Sequence, residues 1–280
     1  MPRAQKHIFV AYAADAATPL ASFVAARLSL SPTEATALVR GGSVYIGDKR
    51  QRSAQHALAA GDRVTIYLAP AASEPAGEPE RILVVFQNDD LAVIDKPAGV
   101  ASAATRAGGE RTVEDFVRRT FGKQARLMHR LDRATSGLLL VSRRAASRAD
   151  LQQALAEHAV ERRYLARVRG HVAVDEQTFE GRISVGGGRA HVSTDPRAAP
   201  AETHVRVLRR DADDTTLLEC RPRTGRTHQI RVHLAHAGHP IVGDTAYGGT
   251  DAPRLLLHAN EIVWRELDVR SSRVPRALAP

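Results

Sequence analysis

A single acidic side chain lies between two arginines in residues 129–140, which read His-Arg-Leu-Asp-Arg-Ala-Thr-Ser-Gly-Leu-Leu-Leu. Nearby positive charge favours the carboxylate form, so we expect Asp132 to carry a negative charge. The apolar run after Gly137 predicts a strand, and a loop at the edge of a strand is a place where a scaffold presents a polar group to a ligand. Asp132 is therefore a candidate catalytic acid, with a turn-capping Asp beside solvated arginines as the alternative.

A second segment, residues 221–240, is rich in Arg and His and reads Arg-Pro-Arg-Thr-Gly-Arg-Thr-His-Gln-Ile-Arg-Val-His-Leu-Ala-His-Ala-Gly-His-Pro. Ile230 and Leu234 are one helical turn apart, which predicts a helix with Thr227 as its N-cap and an end at Gly238. Alternating apolar residues in the first half of the segment are also compatible with a strand.

The side chains of that segment permit two kinds of chemistry. On the helix interpretation Arg231 lies in or near the first turn, where it favours a nearby anion, either a phosphate or Asp132. His233, His236 and His239 would permit a zinc site, but helical spacing places only two of them on one face, and no Cys pair or His-Glu-x-x-His sequence accompanies them. We expect no metal and interpret these histidines as capping, hydrogen-bonding or packing residues.

The elements around both segments indicate an α+β domain. The patterns predict strands over residues 82–86, 91–94, 137–142, 164–168 and 215–220, and a helix over 145–158. Strands and helices mix without a regular βαβ period, which argues against a doubly wound sheet. The run Gly186-Gly187-Gly188 lacks the context of a phosphate-binding loop and is interpreted as a turn.

The first part of the chain predicts a small helix–sheet module. Ser31-Pro-Thr-Glu34 is typical of a helix start, with Ser31 as the N-cap, and Gly41-Gly42 is typical of a helix end. Short strands are predicted over 43–50 and 62–68. Residues 70–80 follow, rich in Pro, Ala and Glu, and predict a linker.

Composition narrows the class of protein. The chain has 280 residues and a formal net charge of +9, and residues 81–280 carry nearly all of that excess, which suggests a polyanionic partner such as RNA. The single cysteine, Cys220, permits no internal disulfide and fits a reducing cytoplasm. Because no apolar run reaches the roughly 18 residues of a membrane-spanning helix, we expect a soluble protein.

Taken together, these motifs resemble the RluA-like family of RNA pseudouridine synthases. Residues 129–140 resemble the catalytic motif of the family, and 95–99, Asp-Lys-Pro-Ala-Gly, its first motif. Residues 224–234 and 238–244 resemble a later motif, and 162–170 and 254–259 also match in order. The resemblance spans roughly residues 82–260.

The resemblance implies a fold, a reaction and a set of site residues. The fold is α+β, with a mixed, largely antiparallel sheet, and the reaction breaks the N1–C1′ bond of a uridine and joins C5 to C1′ without metal or organic cofactor. Asp132 would be the essential carboxylate, as nucleophile at C1′ or base at C2′, with Tyr164 under the uracil and Arg231 paired with Asp132. The implied RNA-binding residues are His129, Arg130, Arg133, Arg226, His228 and Gln229, among which Arg130 would fill the stack that the flipped base leaves.

The N-terminal part, residues 8–69, resembles a degraded S4 RNA-binding module, most clearly over 41–49. It departs from the module at Pro19-Leu-Ala21 and at residues 31–34, where arginines are usual. The residual basic set is Arg40, Lys49, Arg50 and Arg52. The resemblance thus implies this module, the linker 70–80 and a catalytic domain over 81–280.

Two other function classes stay open at this point. A non-catalytic RNA-binding or ribosome-assembly factor could use Arg130, Arg226 and Arg231 for phosphates alone, and a histidine-dependent metallohydrolase would contain zinc. For an enzyme, ribosomal and transfer RNA are both possible substrates. We expect a monomer in the cytoplasm.

Overall fold

The computed structural model describes residues 5–68, 82–104, 111–186 and 189–279. The chain divides into two compact units, residues 1–80 with 101–114 and residues 81–100 with 115–280. The predicted linker 70–80 lies outside the described residues, as do Gly187 and Gly188 of the predicted glycine turn. The three-part domain division and the likeness to an S4 module stay predictions.

The first unit contains two helices and a four-stranded sheet. Its elements are β1 (Gln5–Val10), α1 (Leu20–Leu28), α2 (Pro32–Gly41), β2 (Val44–Ile46), β3 (Lys49–Gln51) and β4 (Arg63–Leu68). The sheet is antiparallel, in the order β1-β4-β2-β3. The predicted start of α2 is confirmed, since Ser31 Oγ accepts from the Glu34 amide and the Glu34 carboxylate accepts from the Ser31 amide. Gly42, in the left-handed region, ends the helix as predicted.

The remaining elements form a larger sheet with helices. In chain order they are β5 (Leu83–Gln87), β6 (Leu91–Lys96), α3 (Val113–Phe121), β7 (Arg126–Leu127), β8 (Ser136–Ser142), α4 (Ala145–Ala156), β9 (Glu161–Arg169), β10 (Glu176–Gly186), β11 (Arg189–Ser193), β12 (Ala199–Asp211), β13 (Thr215–Pro222), α5 (Gln229–His236), β14 (Leu257–Trp264) and β15 (Leu267–Arg270). Eleven described strands share one sheet, with the path β11-β10-β12-β13-β9-β14-β8-β6-β5, β15 beside β14 and β7 beside β8. Among these pairs, β8 with β14 is parallel and the others are antiparallel. The predicted α+β fold with a mixed, largely antiparallel sheet is confirmed.

The centre of this sheet is apolar because its strands are covered. All residues of β6 and β8 are buried. Leu138 and Leu140 point to the same face, since side chains alternate along a strand, and they pack there with Leu151 of α4. The two strands and the helix were predicted from these apolar patterns, and no described helix is long and apolar enough to cross a membrane.

Gly137 allows β8 to approach β14 closely. Its φ is +111°, and a Cβ atom at this position would lie 2.1 Å from the carbonyl oxygen of Ala259. Only glycine tolerates both this backbone conformation and this contact. The parallel pairing of β8 with β14 therefore depends on the glycine that comes five residues after Asp132.

The helix in the second segment begins one residue later than predicted. Its N-cap is His228, with φ 54° and ψ 24°, and not Thr227. This left-handed conformation places His228 outside the helix, so the first helical residue is Gln229. The strand interpretation of this stretch is wrong, and Val232 of α5 packs on Ile183, Ala190 and Ala201 of the sheet.

Candidate active site

Asp132 and Arg231, 99 positions apart in the chain, meet in an ion pair. Arg231 Nη1 donates to Asp132 Oδ2 over 3.0 Å. The Asp132 side chain is 26% exposed, whereas that of Arg231 is only 9% exposed. The Asp132 carboxylate is therefore accessible to solvent and is held by the buried Arg231 guanidinium.

Asp244 holds the other edge of the same guanidinium. Arg231 Nε and Nη2 donate to the two carboxylate oxygens of Asp244, over 2.7 and 2.8 Å. Burial by itself would lower the pKa of Arg231, but the hydrogen bonds and charges of Asp244 and Asp132 raise that pKa overall, so the guanidinium stays charged. Asp244 ends the predicted motif 238–244, but no local pattern shows which cation it pairs with.

Lys96 joins the loop of Asp132 to the loop that follows β6. Its buried ammonium donates to the carbonyl oxygens of Pro97, Val100 and Arg133, over 2.9 to 3.1 Å. Burial lowers the pKa of Lys96 to about 7, and the charge of Asp132 opposes that shift. Three acceptors use all three protons of an ammonium group, so this geometry favours the charged form.

The loop is also held by direct backbone contacts. The Gly99 amide donates to the Arg133 carbonyl, and Arg133 Nε donates to the Gly99 carbonyl, over 2.8 and 2.9 Å. The Thr135 amide donates to the Asp132 carbonyl over 3.1 Å, which closes the turn. Asp132 thus lies on a loop whose backbone is fixed on both sides.

Tyr164 lies on β9, two strands away from β8, the strand that follows this loop. The strand register pairs Tyr164 of β9 with Ala259 of β14, and Ala259 in turn with Gly137 of β8. The Tyr164 side chain is buried. Burial raises the pKa of its hydroxyl, and the negative charge of Asp132 acts in the same direction. The register places Tyr164 two strands away from Gly137, which is five residues after Asp132.

His228 is the other predicted residue beside the carboxylate. Its Nε2 lies 3.7 Å from Asp132 Oδ2, and its Nδ1 lies 2.8 Å from the hydroxyl of Tyr247. Burial lowers the pKa of His228, while the charge of Asp132 acts in the opposite direction. No sequence pattern pointed to Tyr247.

The other predicted RNA-binding residues are three exposed arginines and two residues, His129 and Gln229, that make hydrogen bonds inside the protein. Arg130, Arg133 and Arg226 are exposed, and Arg226 Nε donates to the Pro200 carbonyl just as Arg133 Nε donates to the Gly99 carbonyl. His129 Nε2 instead accepts from the Leu140 amide, and burial lowers the pKa of His129 to about 3, so the ring is neutral.

Gln229 is fully used inside the protein. Its side-chain oxygen accepts from the Arg226 amide and from Thr224 Oγ1, and its nitrogen donates to the Glu202 carbonyl and to Thr203 Oγ1. Gln229 therefore fixes the turn that carries Arg226 and His228.

The histidines considered for zinc make separate contacts. His233 Nδ1 lies 3.0 Å from Thr203 Oγ1, His239 Nδ1 lies 2.9 Å from the Arg169 carbonyl oxygen, and His236 is exposed. Within the described ranges, no group of three or more His, Cys, Asp or Glu side chains is placed to hold a metal ion.

Residues 90–236 match the protein family described as RNA pseudouridylate synthase, and this range, more than half of the chain, includes both Asp132 and Arg231. The chain belongs to this family. This match confirms the resemblance of the motifs to the RluA-like pseudouridine synthases. The chain is an RNA pseudouridine synthase, not a non-catalytic binding factor.

Individual relatives agree with this assignment. The synthase is 33% identical over 248 residues to the ribosomal large subunit pseudouridine synthase C of Vibrio cholerae, covering 80% of this chain and 78% of that protein. It is 35% identical over 249 residues to the protein of the same name from Escherichia coli K12, covering 79% and 76%. Among solved structures, human RNA pseudouridylate synthase domain containing 1 superposes with a TM-score of 0.59 at 27% identity, covering 70% of this chain and 85% of that one.

Proposed function

We propose that this synthase isomerises a uridine of large-subunit ribosomal RNA, with Asp132 as the essential carboxylate. The observation that carries the proposal is the 3.0 Å contact between the part-exposed Asp132 and the buried Arg231. The relatives from Vibrio cholerae and Escherichia coli are named for the large ribosomal subunit, which favours that RNA over transfer RNA.

The reaction rearranges bonds within one nucleoside. The N1–C1′ bond breaks, the uracil turns, C5 bonds to C1′ and loses its proton, and N1 gains one, either that same proton or one from water, so the product has the atoms of the uridine. Asp132 Oδ2 accepts from Arg231, whereas Oδ1 has no hydrogen-bond partner among the residues described. Oδ1 is therefore the oxygen that faces the ribose, and attack at C1′ and proton removal at C2′ both require it to be charged and free.

The neighbouring side chains support that carboxylate. Asp244 fixes Arg231, so Arg231 can orient Asp132 without moving when substrate enters. Tyr164 offers a flat apolar ring in line with the loop, against which a uracil can pack. Because burial raises the pKa of Tyr164, its hydroxyl is neutral at pH 7 and adds no charge to this apolar surface.

A uridine in a helical segment must leave its stack to reach Asp132. Turning it out costs a few kcal/mol. Arg130 is exposed two residues before Asp132, and a planar guanidinium can occupy the vacated position and offset part of that cost. Arg133 and Arg226, which are exposed on the loops of Asp132 and His228, are the proposed phosphate contacts.

The test is the nearly isosteric substitution Asp132→Asn. Pseudouridine is mapped in total RNA from cells that lack the gene and are supplied with the wild-type or the variant chain, and single-turnover rates are measured on large-subunit ribosomal RNA and on transfer RNA. We expect the variant to lose pseudouridine formation while its affinity for RNA changes less than about threefold, since one hydrogen-bonding group outside the phosphate contacts is altered.

The matched control is Asp150→Asn, which removes a carboxylate from an exposed pair with Arg265. This variant should retain the wild-type rate. Turnover in Asp132→Asn would overturn the catalytic assignment, and modification confined to transfer RNA would overturn the substrate class.

A further inference from the structure

Tyr247 contacts several groups of the site at once. It ends a short 3-10 helix, Thr245–Tyr247, directly after Asp244. Its hydroxyl lies 2.8 Å from His228 Nδ1 and accepts from the Ala190 amide over 3.1 Å. Its ring lies beneath the guanidinium of Arg231, at 4.9 Å from the ring centroid. Tyr247 thus touches both side chains that flank Asp132.

The hydroxyl contacts define where its proton goes. Because the oxygen accepts from the Ala190 amide, its own proton is free to be donated, and His228 Nδ1 is the acceptor in reach. A nitrogen that accepts in this way carries no proton, so the proton of the neutral imidazole is on Nε2. That nitrogen is the one that faces Asp132 Oδ2 at 3.7 Å. This arrangement favours the Nε2–H tautomer of His228.

The surroundings of His228 keep this ring neutral. The groups that face it are Asp132, Arg231, Asp244 and the Tyr247 hydroxyl. Burial lowers the pKa of His228, and Arg231 acts in the same direction, while the two carboxylates oppose them. An imidazolium would carry a proton on both nitrogens, and it could not accept from Tyr247.

The ring of Tyr247 also limits the motion of Arg231. Arg189 lies over the same ring at 5.1 Å, and the imidazole of His228 meets it edge-on at 5.7 Å with an interplanar angle of 87°. A guanidinium over an aromatic face is attracted by the negative face of the ring. This contact adds to the two hydrogen bonds from Asp244 in keeping the Arg231 plane fixed.

We propose that Tyr247 is a positioning residue of the synthase: its hydroxyl sets the Nε2–H tautomer of His228, which then presents an N–H group to the Asp132 carboxylate. The distance of 3.7 Å is longer than a hydrogen bond, so this N–H is ready to donate to Asp132 or to a ribose oxygen seated between them. Tyr247 acts through His228. Its effect on turnover rests on the proposed function of Asp132, whereas its effect on the tautomer does not.

The first measurement is made on the free full-length enzyme and needs no RNA. The ring ¹⁵N chemical shifts of His228, assigned by comparison with His228→Gln, report which nitrogen is protonated at pH 7. We expect a protonated Nε2 and a bare Nδ1 in the wild type, and a mixture of both tautomers in Tyr247→Phe. A wild-type ring protonated on Nδ1, or on both nitrogens, would overturn the proposal even if Tyr247→Phe does not fold.

The second measurement links the tautomer to turnover. We expect kcat of Tyr247→Phe to fall about tenfold, the effect of one lost hydrogen bond, with KM changed less than twofold. The control is Tyr12→Phe, at a residue of the first unit that is 68% exposed, and this variant should match the wild type. An unchanged kcat in a folded Tyr247→Phe variant would show that Tyr247 only packs in the site and does not position His228 for turnover. A wild-type enzyme without activity on any RNA would count against the proposed function alone, since the tautomer is measured separately.

Discussion

Asp244 binds the Arg231 guanidinium through two parallel hydrogen bonds, of 2.7 and 2.8 Å, on the edge opposite to Asp132. The Asp244 side chain is almost completely buried, at 1% exposure, so these bonds are shielded from water. Asp244 therefore fixes the Arg231 guanidinium, and this guanidinium in turn fixes the surface carboxylate of Asp132. The three side chains form a row of alternating charges, Asp244, Arg231 and Asp132. Of these three, Asp132 is the one that a substrate can reach.

The first prediction concerns Asp244→Asn. The substitution leaves a buried guanidinium with one charged partner instead of two, and breaking a buried pair is expected to lower the free energy of unfolding by about 3 kcal/mol. Because Arg231 is then free to shift, we also expect kcat to fall about tenfold or more. Urea denaturation and single-turnover kinetics measure the two effects.

The control is Asp268→Asn, since Asp268 is exposed and lies 4.0 Å from Arg270. This variant should match the wild type in both measurements. Equal behaviour of the two variants would show that Asp244 does not hold Arg231 in solution.

The second prediction concerns Gly137→Ala. A Cβ atom would lie 2.1 Å from the Ala259 carbonyl oxygen, so β8 and β14 must separate, and the variant should unfold at a much lower temperature or fail to accumulate. Gly122→Ala is the matched control, because Gly122 also has a positive φ, +91°, but nothing lies within 4 Å of the added Cβ. We expect Gly122→Ala to cost only about 1–2 kcal/mol, the strain of the backbone conformation. Similar losses of thermal stability in both variants would contradict the close approach of the two strands.

The third prediction concerns the pH dependence of stability. His258 is buried, its Nδ1 lies 2.7 Å from Ser136 Oγ, and burial lowers the pKa of His258 to about 4. Between about pH 6.5, the usual pKa of histidine, and pH 4 the unfolded chain binds a proton that the folded chain does not, so the free energy of unfolding falls as the pH is lowered through this window.

His258→Asn keeps a hydrogen-bonding group near Ser136 but does not titrate. The slope of unfolding free energy against pH should become shallower by at most about 1.4 kcal/mol per pH unit, the contribution of one proton. His158→Asn, at an exposed position, should keep the wild-type slope. A variant at position 258 with an unchanged slope would contradict a neutral buried His258.

The fourth prediction concerns RNA affinity. If the exposed Arg226 contacts an RNA phosphate, Arg226→Ala should reduce the slope of log K against log salt concentration by roughly 0.7–0.9, the value of one phosphate contact. Arg40→Ala removes another exposed arginine, from α2 of the first unit, and should leave the slope unchanged. A reduced slope in Arg40→Ala would show that the N-terminal module also binds the RNA.

Much of the fold around the site was accessible from local patterns. The apolar run after Gly137 predicts β8, and Ser31 and Glu34 predict the start of α2, because apolar periodicity and capping act between near neighbours. Strands β10 and β12 were missed. Along β10 nearly every residue is partly or fully exposed, so the strand is stabilised by backbone pairing with its neighbours and has no strong apolar pattern.

By itself, the sequence determined the family, the α+β class and the two segments that carry Asp132 and Arg231, since motif order and apolar periodicity are properties of the linear chain. The residue pattern alone left the anion beside Arg231 open between a phosphate and Asp132, and the family resemblance implied Asp132. Tertiary structure decided that Asp132 and Asp244 share this guanidinium, and that Tyr247 reaches His228. These contacts depend on strand register and on the close approach at Gly137, which are set by the packing of residues far apart in the chain.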